Sequence, residues 1–301
     1  NIHFLYKNNF LNNLNFKNAK SAVVVGAGPS LSKNLSYLKS IQKKILIVTC
    51  LHALPALEKH KIIPDIVVHL DPEDKKEFVK LTKPKHNNPV LNLVLDTRVN
   101  NEFFSYPATN VFTFPFSFYL EPIANLLNIN HPKLYGSNVI EYCISICENL
   151  NIKNITMIGN DLSFPDNKIY IKEALCKKIE EEELLKKKTT VEGYNGQTLQ
   201  TSSTFSYYID QLSALKKNLE NNDSEINLFN STEGGAKIPE IRNISLKNFF
   251  LKYESQQQKE MFLKPFSKFK KDKIKEQTHE FVLKTLNNFE KLSKIVSPLK
   301  K

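Results

Sequence analysis

The chain has no tryptophan, and its aromatic residues form no stacking motif of the kind an RNA-reading sheet carries. No apolar run approaches the roughly 20 residues that a membrane helix needs, and no signal-peptide pattern opens the sequence. A membrane-spanning protein is therefore not expected, and nothing points to nucleic acid as a partner. The four cysteines (Cys50, Cys143, Cys147 and Cys176) contain no CxxC pair, which removes the usual zinc knuckle. Cys143 and Cys147 fall four apart on a helical pattern with Ile140 and Ile144, so they read as core residues of a reduced, cytoplasmic chain. GxSxG, HExxH and P-loop patterns are missing as well. A nucleophile elbow, a metalloprotease helix and a Walker-type phosphate loop have no footing.

What is present is an ordinary globular composition, 41% hydrophobic and 24% charged over 301 residues. That length holds one large α/β domain with an appendage. The net charge of +11 is uneven, because Lys252 to Lys301 carries thirteen lysines against six acids. The basic surplus belongs to the tail and does not make the main domain a nucleic-acid binder.

Apolar runs alternate with helical patterns along the first 230 residues. Strands are expected over 22–26, 44–49, 65–70, 90–96, 110–113, 155–159 and 227–230. Helices are expected over 31–41, 52–60, 137–149 and 203–218. Repeated β–turn–α units of this spacing predict a doubly wound, mainly parallel, Rossmann-like α/β sheet with right-handed crossovers. The domain is read as 1–245, with an insertion at about 166–200 in which Gly193, Asn195 and Gly196 mark a hairpin turn or a mobile segment. Within the insertion, EEEELLKKK reads as a solvated helix face with i,i+4 pairs.

In such a sheet ligands collect at the carboxyl ends of the strands. The first of these ends is the stretch Ala22 to Leu31, AVVVGAGPSL. Gly26 and Gly28 permit a tight turn and close backbone approach, Pro29 suits a helix's first turn, and Ser30 adds a hydroxyl. Strand, turn and helix N-terminus together suit a phosphate or carboxylate. The third glycine of the dinucleotide fingerprint is missing, with Leu31 and Ser32 in its place.

Other strand ends supply carboxylates and amides. Asp71 and Asp74 in HLDPED can hold Mg²⁺, orient a ribose hydroxyl, or cap a helix. Asn160 and Asp161 follow the apolar MIG run, with a base or hydroxyl-binding role. Glu233 stands beside Gly234 and Gly235, where backbone can close on a ligand. His69 shares a strand face with Asp71, whereas His52 and the remaining histidines have no partner by spacing.

GAGPSL, HLDPED, YGSN, GNDLSF, NGQTLQTSSTF and NSTEGGAKI occur in this order between about Asn18 and Lys237. This ordered set resembles the motility accessory factor family, the flagellin glycosyltransferases, whose central domain is related to an archaeal pterin diphosphokinase and similar to bacterial sialyltransferases. Members commonly carry glutamine where this chain has Asn160. The resemblance implies a CMP-activated nonulosonic acid, of pseudaminic or legionaminic type, as donor and Ser or Thr of flagellin as acceptor. It implies a donor site built from Gly26, Gly28, Pro29, Ser30, Asn160 and Gly234, together with Gly136 and Ser137 of YGSN. Base candidates for the acceptor hydroxyl are Asp161, Glu233 and Asp71, with metal need left open. An ATP-dependent pterin diphosphokinase and a non-catalytic flagellin-binding module are the alternatives.

From Leu246 onward the chain reads as a basic amphipathic helical extension, 246–301. Phe249, Phe250 and Tyr253 begin an apolar stripe at i, i+3 and i+4 steps. Such a helix packs on the domain, docks a helical partner, or lies on an anionic membrane.

Overall fold

The computed structural model describes residues 11–72, 90–114, 134–174, 188–221 and 224–263. Among the described residues, eight strands form the central sheet. They are β2 (Ser21–Val25), β3 (Leu46–Cys50), β4 (Ile66–His69), β5 (Val90–Asp96), β6 (Ala108–Phe114), β7 (Asn154–Ile158), β10 (Asn227–Asn230) and β11 (Arg242–Asn243). Their order is β11-β10-β7-β2-β3-β4-β5-β6, and every pair is parallel. The chain runs outward from β2 to β6, then returns to the other side of β2 with β7. That reversal places a topological switch point between β2, β3 and β7, where ligands bind in sheets of this kind.

The alternation in β2 divides the core. Ala22 and Val24 face one layer, and Val23 and Val25 face the other. The first layer holds α3 (Val139–Asn149), through Cys143, Ile144 and Cys147, and α4 (Ser203–Asn221), through Ile209 and Leu212. The second holds α1 (Leu31–Ile41), α2 (Leu54–Lys59) and α5 (Leu246–Tyr253). β2 and β3 are buried along their whole length, as expected of strands covered on both faces. The expected α/β architecture is the observed one.

Two features were not legible in advance. An N-terminal strand, β1 (Leu14–Lys17), pairs antiparallel with β12 (Glu260–Leu263), so residues expected to be helical at that point form a ribbon instead. Lys259, just before β12, reaches 2.6 Å to Asp65 in a buried ion pair and donates to the carbonyls of Gln42 and Ile45. Burial pushes the Asp65 carboxyl up and the Lys259 ammonium down. Leu246, Phe249 and Phe250 are buried with α1, so the start of the extension packs on the domain, one of the arrangements its apolar stripe allows. The tail from 264, the charged run up to Lys187 and Cys176 lie outside the described residues.

The hairpin read from Gly193, Asn195 and Gly196 is present. β8 (Lys188–Glu192) and β9 (Thr198–Ser202) pair antiparallel across it, with Gly196 at φ +82°. It leans on the site: Phe164 donates to the Gln200 carbonyl and Tyr194 to the Gly235 carbonyl.

Candidate active site at the carboxyl edge of the sheet

Three glycine turns converge beyond β2, β7 and β10. Gly26 and Gly159 are so close that a Cβ on Gly26 would stand 2.5 Å from the Gly159 oxygen. Gly159 (φ +61°) and Gly235 (φ +70°) adopt backbone that other residues enter at a cost. Into this gap points Asp161. A Cβ on Gly28 would fall 2.0 Å from its Oδ2, and one on Gly235 would fall 2.4 Å from its Cα. The glycines are there because the Asp161 loop occupies the space a side chain would take.

Asp161 is buried and engages the start of α1. The Ser30 hydroxyl donates to Oδ2 at 2.7 Å, and the Ser30 N–H donates to both carboxylate oxygens at 3.2 and 3.3 Å. Two more amides of the turn are taken: Gly28 N–H by the Gly159 carbonyl, and Leu31 N–H by the Gly28 carbonyl. At the helix start that the sequence offers to an anion sits the protein's own Asp161 carboxylate. A phosphate reaching Ser30 must displace Asp161. Burial raises the Asp161 carboxyl to about 6, against the opposing Ser30 hydrogen bonds and the nearby Lys33 charge.

Two cavities meet at Asp161. The first, of about 200 Å³, opens on the α3–α4 side and is lined by Gly26, Ala27, Gly28, Cys50, His52, Asn138, Asn160, Asp161, Ile169, Tyr170, Phe205 and Tyr208 among others. The second, of about 570 Å³, lies toward α1 and is lined by Pro29, Ser30, Lys33, Asp161, Asp166, Lys168, Tyr170, Lys172, Gly234 and Gly235 among others. Asp161 and Tyr170 line both. One cavity is apolar and aromatic, and the other is ringed by charge.

Of the residues anticipated from sequence, Gly26, Gly28, Pro29, Ser30, Asn160, Asp161 and Gly234 come together here. Glu233 (φ +57°) is adjacent but turned to structural use: its carboxylate accepts the Leu246 N–H that opens α5, and its carbonyl accepts from Lys33 at 2.8 Å. Asp71 lies past the end of β4, two strands from β2, and lines neither cavity. Its companions Glu73 and Asp74 lie outside the described residues, and among those described no three His, Cys, Asp or Glu side chains group around a metal position.

Gly136 and Ser137 line neither cavity. They belong to a self-contained cap on α3, in which Asn138 accepts from the Ile140 and Glu141 N–H groups while Glu141 accepts the Ser137 N–H at 2.6 Å. Glu141 already supplies the anion for that helix start.

Sequence reading passed over His52, Tyr170, Phe205, Tyr208 and Asn138. His52 stands two residues past β3, just beyond the Thr49-Cys50 strand end, and its ring is 16° from parallel with that of Tyr170, centroids 6.5 Å apart. Position after a parallel strand was the available signal, but spacing to another polar residue gave none. Phe205 and Tyr208 arrive from the first turns of α4, beyond the insertion.

The family model described as 6-hydroxymethylpterin diphosphokinase MptE-like matches residues 1–167. That span contains the glycine turn, Asn160 and Asp161. No curated protein sequence gives a significant match. Among solved structures, the MAf glycosyltransferase from Magnetospirillum magneticum AMB-1 aligns over 75% of this chain and 33% of its own, at 17% identity and a TM-score of 0.58. The chain therefore spans about a third of that protein, and the likeness is one of fold. Two Campylobacter jejuni sialyltransferases align more loosely. CstII, solved with cytidine 5′-monophosphate, gives 12% identity over 83% of this chain and 92% of its own, at a TM-score of 0.33. Cst-I gives 16% identity over 91% and 96%, at 0.34.

Proposed function

This chain belongs to the 6-hydroxymethylpterin diphosphokinase MptE-like family, and we propose that it is the catalytic core of a glycosyltransferase using a CMP-activated nonulosonic acid. The observation that carries this reading is the placement of Asp161. It is a buried carboxylate at the common wall of two cavities, at the switch point of a sheet shaped like that of the MAf glycosyltransferase. Two cavities meeting at one carboxylate suit a reaction that joins a donor to an acceptor.

In this mechanism Asp161 takes the proton of the acceptor hydroxyl as the new C–O bond forms at the sugar's anomeric carbon. The sugar–phosphate bond breaks and CMP departs with the bonding electrons. Lys33, at the edge of the charged cavity, meets the developing phosphate charge. Of the three carboxylates considered, Asp161 keeps the role of base, because Glu233 is engaged at the start of α5 and Asp71 lies outside both cavities. The acceptor in this reading is Ser or Thr of flagellin, in the cytoplasm, and Mg²⁺ is left to an EDTA control in the same assay.

The family description favours a second reading, pterin diphosphokinase chemistry, in which ATP passes a diphosphate to a hydroxymethylpterin and AMP departs. One experiment separates them. Incubation with CMP-nonulosonate and flagellin is expected to add the mass of one or more nonulosonic acid residues to flagellin. AMP release from ATP with 6-hydroxymethylpterin, and no added mass, sinks the transferase. Flagellin binding without either reaction makes the chain a binding module.

A further inference from the structure

Leu162, the residue after Asp161, stands in the left-handed region at φ +46°. A bulky side chain enters that region at a cost, and such backbone persists only where its surroundings hold it. The left-handed step lies between Asp161 and the rest of its loop. Whatever holds it also sets where Asp161 stands.

Thr201, on β9, holds it. The Thr201 hydroxyl donates to the Leu162 carbonyl at 2.7 Å, and the residue is fully buried. In a place without exposure, valine would fill the same shape and bring no polar atom to satisfy. One residue earlier, the Gln200 carbonyl accepts the Phe164 N–H at 2.7 Å. Two successive residues of β9 therefore grip the loop just after Asp161.

The other arm of the hairpin and its turn grip the facing loop. Tyr194 N–H donates to the Gly235 carbonyl and Lys237 N–H to the Glu192 carbonyl, each at 2.8 Å. That facing loop in turn holds Asp161, whose carbonyl accepts the Ala236 N–H at 2.7 Å and the Ser163 hydroxyl at 3.1 Å. The Asp161 backbone is fixed from both sides, and its carboxylate is left on Ser30.

We propose that Thr201 is a positioning residue for Asp161: its hydroxyl holds the left-handed Leu162 peptide and thereby keeps the Asp161 carboxylate at the wall between the two cavities. Thr201 lines neither cavity and acts through backbone alone. The inference rests on the transfer reading only for the task that Asp161 performs.

The test combines residue-resolved amide hydrogen exchange of the full chain with the sugar-transfer assay. Thr201→Val is expected to speed exchange at the Ser30 and Ala236 amides, whose acceptors belong to Asp161, and to leave the β3 amides unchanged. In transfer, kcat is expected to fall by up to about 10²-fold, the effect of misplacing a reacting group by about 1 Å. Thr201→Ser keeps the hydroxyl and is expected to restore both readouts. The proposal is overturned if Thr201→Val leaves Ser30 and Ala236 as protected as in wild type. It is equally overturned if β3 loosens to the same degree, which makes Thr201 a core residue and nothing more. If Thr201→Val does not fold, Thr201→Ser decides: wild-type protection at Ser30 and Ala236 supports the proposal, and lost protection there overturns it. Faster exchange in Thr201→Val, with no transfer by the wild type, sinks the transferase and leaves the positioning. Full transfer by Thr201→Val does the reverse.

Discussion

The Ser30 hydroxyl donates to Oδ2 of Asp161 at 2.7 Å across 131 positions of sequence, and the Ser30 N–H points at the same carboxylate. This joins the end of β7 to the start of α1 by placing an internal anion where a free phosphate would otherwise sit. The glycine turn is thereby held in shape before any ligand arrives. The same contact leaves a carboxylate, buried and raised to about 6, between the two cavities.

Transfer activity is expected to rise as pH increases through about 6, because Asp161 must lose its proton before it can accept one. Asp161→Asn should lower kcat by roughly 10²- to 10⁴-fold and remove that limb of the pH profile. Stability runs the other way. The native carboxyl keeps its proton to about 6 and the unfolded one only to its ordinary 3.8. Its stabilising contribution is present below about 4 and lost as pH rises to 6. Thermal melts of wild type and Asp161→Asn between pH 4 and 7 check this through their difference, since Asn still offers Ser30 an acceptor.

Gly28→Ala and Gly235→Ala should both damage the site. The new methyl would meet the Asp161 carboxylate at 2.0 Å in the first case and the Asp161 backbone at 2.4 Å in the second. Overpacking of this kind costs about 1–3 kcal/mol. Gly235→Ala is expected to be the worse, because it also forces alanine to φ +70° against backbone that cannot swing aside. Urea midpoints give the ranking, and equal stability of both variants to wild type would contradict the packing described.

Lys259→Met should destabilise the fold by about 3–5 kcal/mol, since it leaves the Asp65 carboxylate buried without its cation. Asp65→Asn combined with Lys259→Met is expected to cost less than the lysine change alone. A double-mutant cycle from denaturant curves measures the coupling. A loss below about 1 kcal/mol for Lys259→Met would class the pair with exposed ones.

Phe249→Ala should cost about 3–5 kcal/mol, because Phe249 is fully buried against the sheet. Leu251→Ala, on the exposed side of the same helix, should stay within about 0.5 kcal/mol. Truncation after Ser245 is accordingly expected to give an aggregating protein. A monomeric, folded truncation product on a sizing column would show that α5 is dispensable.

What the sequence determined by itself is the layered frame. Val23 to Val25 and Ile47 to Val48 are apolar on both faces and so specify strands covered on both sides, and α1 shows its buried stripe at helical spacing. The glycine turn and Asp161 were also legible, because strand ends in a parallel sheet lie along one edge whatever the order of the strands. Tertiary structure decided which ends meet. Asp161 and Glu233 look alike as carboxylates beside glycines, yet one faces two cavities and the other holds the first N–H of α5. His52 has no polar neighbour by spacing, and its ring partner lies 118 positions away on another crossover. Lys259 reads as one more lysine of a basic tail until the ribbon of β1 and β12 carries it down to Asp65. Local pattern fixes which face of an element is buried, because that depends on a period of a few residues. Pairings across tens to hundreds of residues are set by strand order and crossover path, and no local period encodes them.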